Sequence, residues 1–401
     1  MIESSVAPSI DISRVRKEVD NAALAREVLA GGEIARSEDF GGFWAVVSNA
    51  AVKKAAADAA TFCSSGGASL PSVKLPIPAL PLEADPPNHR ELRKLLTPEL
   101  RPERILAWED AIRAAVDECI DAFIERGSAD LSAELGGRVP PIIIAQVLGL
   151  PGEDVDKFVG WTTEMRSSLD RNDVEANKAA TTALVGYIDE RVRGAKGQDG
   201  TDLFHHITDS EVAGRPVEHL EAVGTVLTLI IAGQTTTVNG ISSLLRLVSE
   251  RPEIKQALQD DPSLIPAAID EALRLEAPVQ YMARTVTSDT VFGGVEMKAG
   301  DKVALLFGLA NLDEAGFENP GKFDLGRRHN NHLAFGHGIH RCVGEHLARA
   351  EMRISLEQML ARVPDFRLDG DVQVGVGGHA PFNRGPLAVP VTFTPGKKVR
   401  A

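Results

Sequence analysis

Between His332 and Gly344 the chain reads HLAFGHGIHRCVG, three glycines and three histidines around one cysteine in a sequence of 401 residues with only two others, Cys63 and Cys119. So glycine-rich a stretch is a loop. The residues after it restore a period, with Leu347, Met352, Leu356, Met359 and Val363 at nearly helical spacing. Cys342 is therefore expected just before a helix N-terminus, where the dipole and free amide hydrogens favour a thiolate. Gly336, Gly338 and Gly344 remove side chains where the backbone must turn sharply or approach something flat.

Four readings of that sulfur compete. A structural cysteine on a turn leaves the glycines unexplained. A zinc site of His332, His337, His340 and Cys342 lacks the paired Cys-x2-Cys such sites usually carry. A cysteine nucleophile needs a base, and His340, two residues away on a loop, would point elsewhere. A thiolate bound axially to haem iron accounts for the single sulfur, the close-approach glycines and the nearby cations, which pair with propionates.

The rest of the chain is helix-rich. ILAWEDAIRAAVDECIDAFIERG carries Ile105, Trp108, Ile112, Val116, Ile120 and Phe123 on one stripe and stops at Gly127. Further helical runs are expected at about 141 to 149, 153 to 168, 173 to 194, 217 to 250, 252 to 259, 263 to 276 and 343 to 363. Strand-like stretches are short: FWAVVS, TVFGGVEMKAGDKVALLF and LAVPVTF. The fold class is mainly α with small β-sheets (α+β). With no linker, repeat or charge block to divide it, residues 1–401 read as a single domain, its β-rich portion mainly at 40–62 and 280–310.

A net charge of −14 argues against nucleic acid or an anionic membrane as partner. The N-terminus lacks a signal peptide's basic and apolar regions. The longest apolar runs fall short of the ~20 residues needed to span a bilayer, so the expected location is cytoplasmic. Three scattered cysteines do not make a disulfide framework.

The run Phe335-Gly336-x-Gly338-x-His340-x-Cys342-x-Gly344 matches every fixed position of the haem-binding signature of the cytochrome P450 family, and the chain resembles that family over most of its length. The resemblance implies the family's triangular, helix-rich fold and a haem b (iron protoporphyrin IX) ligated by Cys342, with Phe335, Gly336, Gly344, Ala232 and Gly233 against it. Glu271 and Arg274 match the family's buried Glu-x-x-Arg pair, and Arg327 matches the arginine that locks it. DPPNHRELR resembles the propionate-binding segment, assigning that role to His89 and Arg93; Arg284 of YMART and His340 join them.

In LTLIIAGQTTTVNG, Gly233 and three threonines interrupt a helix where glycine costs about 1 kcal/mol relative to alanine. Threonine hydroxyls also bond back to the carbonyl four residues earlier and loosen the ladder. In the family the resulting groove holds dioxygen, and an acid followed by threonine relays protons. Aligned on Ala232-Gly233, the threonine is Thr236 and the acid's place is taken by Thr235, leaving proton delivery to hydroxyls, Gln234 and water.

The implied reaction is monooxygenation: dioxygen is reductively activated at a thiolate-ligated haem and a hydroxyl is returned to the substrate. The implied electron source is a small ferredoxin served by an NAD(P)H-dependent ferredoxin reductase. Arg327, Arg328, Arg341, Arg349 and Arg353 gather around the cysteine to receive it. TFCSSGG, LEADPPNH, TTVNGI and PVQ look most like soluble bacterial enzymes that oxidise small benzoates. The places where such relatives hold a carboxylate are Gly66, Leu227 and Thr228 here, and a buried carboxylate without a cation is costly.

The expected substrate is therefore a small neutral aromatic such as a methoxyphenol or alkylphenol. Its pocket would draw on Val73 to Leu82, Thr228, Ile231, Ala232, Val279, Met282 and Phe382. Alternatives are a terpene or benzoate hydroxylase, a peroxide-driven haem-thiolate oxygenase, and a non-catalytic haem sensor.

Overall fold

The computed structural model describes residues 8–17, 21–71, 77–171, 173–200, 202–375 and 382–399; Val73, an expected pocket residue, lies outside them. The helices that frame the site are α1 (Asn88–Lys94), α2 (Glu109–Phe123), α3 (Val139–Val147), α4 (Gly152–Asp170), α5 (Val174–Ala195), α6 (His219–Ser249), α7 (Ile265–Leu275) and α8 (Glu345–Arg362). Helix α6 runs through the middle, packed on α3, α5, α7 and α8. Its start is fixed by a capping box, in which the Glu221 carboxylate accepts from the Glu218 N–H at 2.9 Å.

The expected interruption at Gly233 and the threonines does not break α6, which is helical over all 31 residues. Most of its residues are buried, and packing of that extent outweighs a propensity cost of about 1 kcal/mol. The stripe expected from Ile105 divides instead. Ile105 belongs to a short helix, Pro102–Leu106, and α2 begins at Glu109, with Trp108 as its cap.

A five-stranded sheet lies beside this bundle: β1 (Ile34–Ser37), β2 (Phe43–Val46), β3 (Phe62–Cys63), β4 (Met282–Val286) and β5 (Lys302–Leu305), in the order β1-β2-β5-β4-β3. Only β2 and β5 pair in parallel, with Val303 opposite Trp44. Between β2 and β3 the chain makes a helix, Asn49–Ala57, capped by Ser48, whose side chain accepts from the Ala51 N–H. The run expected as strands at 290–307 forms a hairpin, Thr290–Phe292 with Val295–Met297, before entering β5. Among the described residues no helix is long and apolar enough to cross a membrane.

Candidate active site

Cys342 lies between the loop and α8, whose cap is Gly344. Its N–H donates to the Phe335 carbonyl at 2.8 Å, and the Gly336 N–H to Leu333 at 2.8 Å, so the loop folds back on itself. Gly336 and Gly338 take φ of +69° and +70°, which side chains rarely tolerate. A Cβ at Gly338 would also collide with the Ala56 carbonyl, so the loop is seated against the helix after β2. The Cys342 side chain has accessible surface although protein surrounds it closely, which places it on the wall of an interior cleft.

The helix start does favour the thiolate, through the Gly344 N–H, but burial outweighs it. Burial pushes the Cys342 thiol up, outweighing the Gly344 N–H and the Arg93 and Arg341 charges, while Glu345 in the first turn of α8 opposes them. A bound metal ion is what would deprotonate such a thiol. The histidines of the zinc reading are drawn to different partners: His332 Nε2 lies 3.3 Å from Asp270 Oδ1, and His340 Nε2 3.0 Å from Ser64 Oγ.

His89, Arg93, Arg284 and His340 converge beside the cysteine. The His89 and His340 rings are 4.4 Å apart, Arg93 donates to the Ile339 carbonyl at 3.3 Å, and Arg284 to the Ala283 carbonyl at 2.7 Å. Burial and mutual repulsion hold these groups down: His340 is pushed down to about 3 by burial, then by Arg284 and His89, and Arg284 to about 10 by burial. Asp85 opposes those shifts, but its carboxylate accepts from the Ser64 and Ser65 N–H groups at 2.8 and 2.9 Å. His89 is buried and its Nε2 has no partner among the described residues. A buried set of donors with so little negative charge fits the two propionates of haem b.

Helix α6, buried along most of its length, has one accessible stretch. Ile231 is 44% exposed and Ala232 is exposed too, although Leu229 and Ile230 beside them are buried, and Thr228, Gly233, Thr235 and Thr236 are partly accessible. Thr236 Oγ1 donates to the Ala232 carbonyl at 2.6 Å, the back-bond expected of a helical threonine. Gln234 is buried, its Nε2 unpartnered among the described residues. Leu82, Val279 and Met282 are partly buried, Val279 paired with Asn383, while Phe382 packs edge-on against Tyr281 in the core beside the sheet. Gly66 abuts the Thr285 side chain and its carbonyl accepts from Lys302, and Leu227 belongs to the helical core.

Behind the loop, Glu271 and Arg274 are 1% and 0% exposed and joined by two hydrogen bonds of 2.7 and 2.9 Å. Arg327 adds one at 2.8 Å, Asn330 one at 2.9 Å and the Asp324 N–H one at 2.8 Å. Reading the sequence missed these last two, and Asp85 and Ser64 as well; LEADPPNH marked Asp85's neighbourhood but not its task. The expected arginine face is largely consumed internally. Arg327 is held by Glu271, Arg349 by Asp270 and Glu345, and Arg353 by Glu109 and Glu357; Arg328 is exposed, and Arg341 is exposed but paired to Glu345.

With this geometry in view, comparison with known proteins is decisive at the level of family. The family model for cytochrome P450 matches residues 154–369. The chain is 33% identical over 369 residues, 90% of either chain, to the steroid C26-monooxygenase of Mycolicibacterium smegmatis. It is 37% identical over 324 residues to that of Mycobacterium tuberculosis, covering 79% of this chain and 87% of that one. Among solved structures, a cytochrome P450 from Chondromyces apiculatus superposes with a TM-score of 0.85 at 30% identity, over 97% of this chain and 99% of the other. A post-tailoring hydroxylase of himastatin biosynthesis superposes with a TM-score of 0.81 at 29% identity, over 90% and 94%.

The chain belongs to the cytochrome P450 family and is a haem-thiolate monooxygenase. Members of the family bind haem b through a cysteine thiolate, and the bacterial members generally draw on redox partners and O2.

Proposed function

We propose that this monooxygenase oxidises an uncharged, apolar substrate bound over a haem held by Cys342. The observation that carries the reading is the accessible stretch of α6, where Thr228, Ile231 and Ala232 offer methyls and one hydroxyl but no charge. A carboxylated substrate placed there would lose its hydration without gaining a partner. Bound haem supplies reductive activation of O2, one oxygen atom going to substrate and the other to water, with thiolate ligation favouring O–O cleavage.

The chain's residues do the rest. His89, Arg93, Arg284 and His340 anchor the propionates, and the loop glycines let the backbone approach the ring. The Gly344 N–H tempers the charge on Cys342. Ile231 and Ala232 orient the substrate and exclude water, and the Thr236 hydroxyl passes protons. Electrons come from a ferredoxin and its NAD(P)H-dependent reductase, and the enzyme works in the cytoplasm beside them. Arg328 and Arg341 are the cations of the expected face that remain exposed to meet such a donor.

A small aromatic such as a methoxyphenol satisfies the uncharged wall. A larger neutral steroid satisfies it too, and the two steroid C26-monooxygenases favour that second reading. Spin-state titration of the ferric protein with a methoxyphenol, the matching methoxybenzoate and a neutral steroid separates them by the Soret shift. A shift with either neutral ligand and none with the benzoate supports an uncharged substrate. Tight binding of the benzoate alone overturns it.

A further inference from the structure

Phe382, expected in the pocket, packs into the core, and the residue beside it, Asn383, takes the opposite face of the strand. The Gln280 N–H donates to the Phe382 carbonyl at 2.7 Å and the Arg384 N–H to the Pro278 carbonyl at 2.9 Å. These two bonds flank the bridge between Val279 and Asn383, which therefore stand directly opposite, their side chains close together on one face. The other face is core. There the Gln280 side chain lies against Gly308 and donates to the Ala277 carbonyl at 2.6 Å, and Phe382 meets Tyr281.

The face that Val279 and Asn383 share is turned to α6. Gly385, two residues on, lies on the same face as Asn383, and a Cβ there would collide with the Asn239 side chain of α6. The chain also runs along α6 toward Thr236. Glu276 pairs with Arg246 at 2.7 Å, and Pro278 Cγ lies 3.8 Å from where a Cβ of Gly240 would sit, nearer the start of that helix. Val279 and Asn383 continue in that direction. Thr236 comes one turn before Gly240 on the same side of α6, about 5 Å along it, and both Thr236 and Val279 are partly accessible.

Asn383 is 6% exposed, and its Oδ1 has no hydrogen-bond partner among the described residues. A buried amide oxygen left unmet is destabilising, so folded proteins meet such groups with protein, water or a ligand. Here the amide stands beside Val279, on the side of the strand that faces the accessible part of α6.

We propose that Asn383 recognises a hydroxyl on the substrate, which makes the substrate a neutral alcohol or phenol with an otherwise apolar body; this rests on the uncharged-substrate reading above and deepens it. A hydroxyl both donates and accepts, so it meets Oδ1 or, with the amide turned over, Nδ2. A carboxylate meets Nδ2 alone and still lacks a cation. The hydroxyl held at Asn383 fixes which end of the molecule lies there and which part is left for oxidation.

The test is a spin-state titration of the haem-loaded wild type and Asn383→Leu with two matched pairs: para-methoxyphenol beside para-methoxytoluene, and a hydroxysteroid beside its deoxy counterpart. Leucine keeps the size of asparagine and removes the amide. In the pair that binds, the wild type should hold the hydroxyl member at least about tenfold more tightly, because a site that bonds a hydroxyl rejects the analogue lacking it. In Asn383→Leu that ratio should fall to about one, with the Tm and the Soret band of the ligand-free protein unchanged.

If the wild type binds both members of a pair equally, or Asn383→Leu keeps the wild-type ratio, the amide serves only a bound water; the proposal falls and the uncharged-substrate reading stands. If methoxybenzoate alone shifts the wild-type spectrum, or no member of either pair does, that reading falls and takes the proposal with it. Should leucine prevent folding, the ratio in Asn383→Ala decides in the same way.

Discussion

Two clusters of buried arginine sit on either side of the cysteine loop, and they are finished differently. Around Arg274 every guanidinium nitrogen is paired: Nε and one Nη with Glu271, the Nη groups with the Asn311, Pro320 and Lys322 carbonyls, and the ring of Phe317 lies 5.3 Å away. Around Arg284 the only hydrogen bond among the described residues is to the Ala283 carbonyl, and the neighbouring His89 Nε2 has none. A saturated charge network serves the protein that contains it. An unsaturated one is built for something that arrives. The same residue type, equally buried, is a strut in one place and a hook in the other.

The largest effect follows from breaking the strut. Arg274→Leu leaves the buried Glu271 carboxylate with Arg327 as its one cation among the described residues, and removing one partner of such a pair costs about 3–5 kcal/mol. Denaturant unfolding of the haem-free protein should show that loss. Arg284→Leu should do the opposite to the same measurement, holding or raising stability, because it removes a desolvated cation that is hydrogen-bonded to no acid among the described residues. Its cost appears in haem retention. A charged hydrogen bond is worth about 1.5–3 kcal/mol, so transfer of haem to an acceptor protein should quicken by roughly tenfold to a hundredfold. Equal effects of the two variants on haem-free stability would erase the distinction.

Acid sharpens it further. Burial pushes Glu271 up, but the hydrogen bonds and charge of Arg274, with the Asp324 N–H and Arg327, outweigh it and leave the carboxyl below its ordinary value. A depressed carboxyl adds stability that is present above its unfolded value and is lost as pH falls through the folded one. The part of the stability that Glu271 contributes should therefore decline only below about pH 4.5, the ordinary glutamate value, by about 1.4 kcal/mol for each unit of depression. Glu271→Gln should flatten that decline, read from unfolding midpoints between pH 6 and pH 3. The Arg284 cluster should add a decline of its own that starts higher, from about pH 6.5 downward, since the unfolded chain protonates His340 and His89 there while the folded chain holds them below their usual range.

Sequence made the hooks easier to find than the workings of the struts. The loop from Phe335 to Gly344 was legible because glycines with positive φ and a lone cysteine are local facts, written in consecutive residues. Glu271 and Arg274 were legible as a pair because they are three apart on one helix. Asn330 and the Asp324 N–H were not, because they reach Glu271 from 59 and 53 residues away, and no period connects them. The arginines around Cys342 misled for the same reason. Composition shows a cluster of positive charge, while Asp270, Glu109 and Glu357, which neutralise much of it, come from other helices or other turns.

The groove on α6 gives the smallest and most discriminating case, a region unsaturated in charge where it must move protons. Thr235 puts a hydroxyl where the family resemblance implies an acid, and Thr236 spends its own proton on the Ala232 carbonyl at rest. Thr235→Asp restores a group that holds and releases protons beside that hydroxyl, so product formed per electron consumed should rise and peroxide release should fall. The gain should stay below the roughly hundredfold that a positioned acid contributes in isolation, because water and the threonines already carry part of the traffic. An unchanged coupling ratio would mean that Thr235 is only a helix residue.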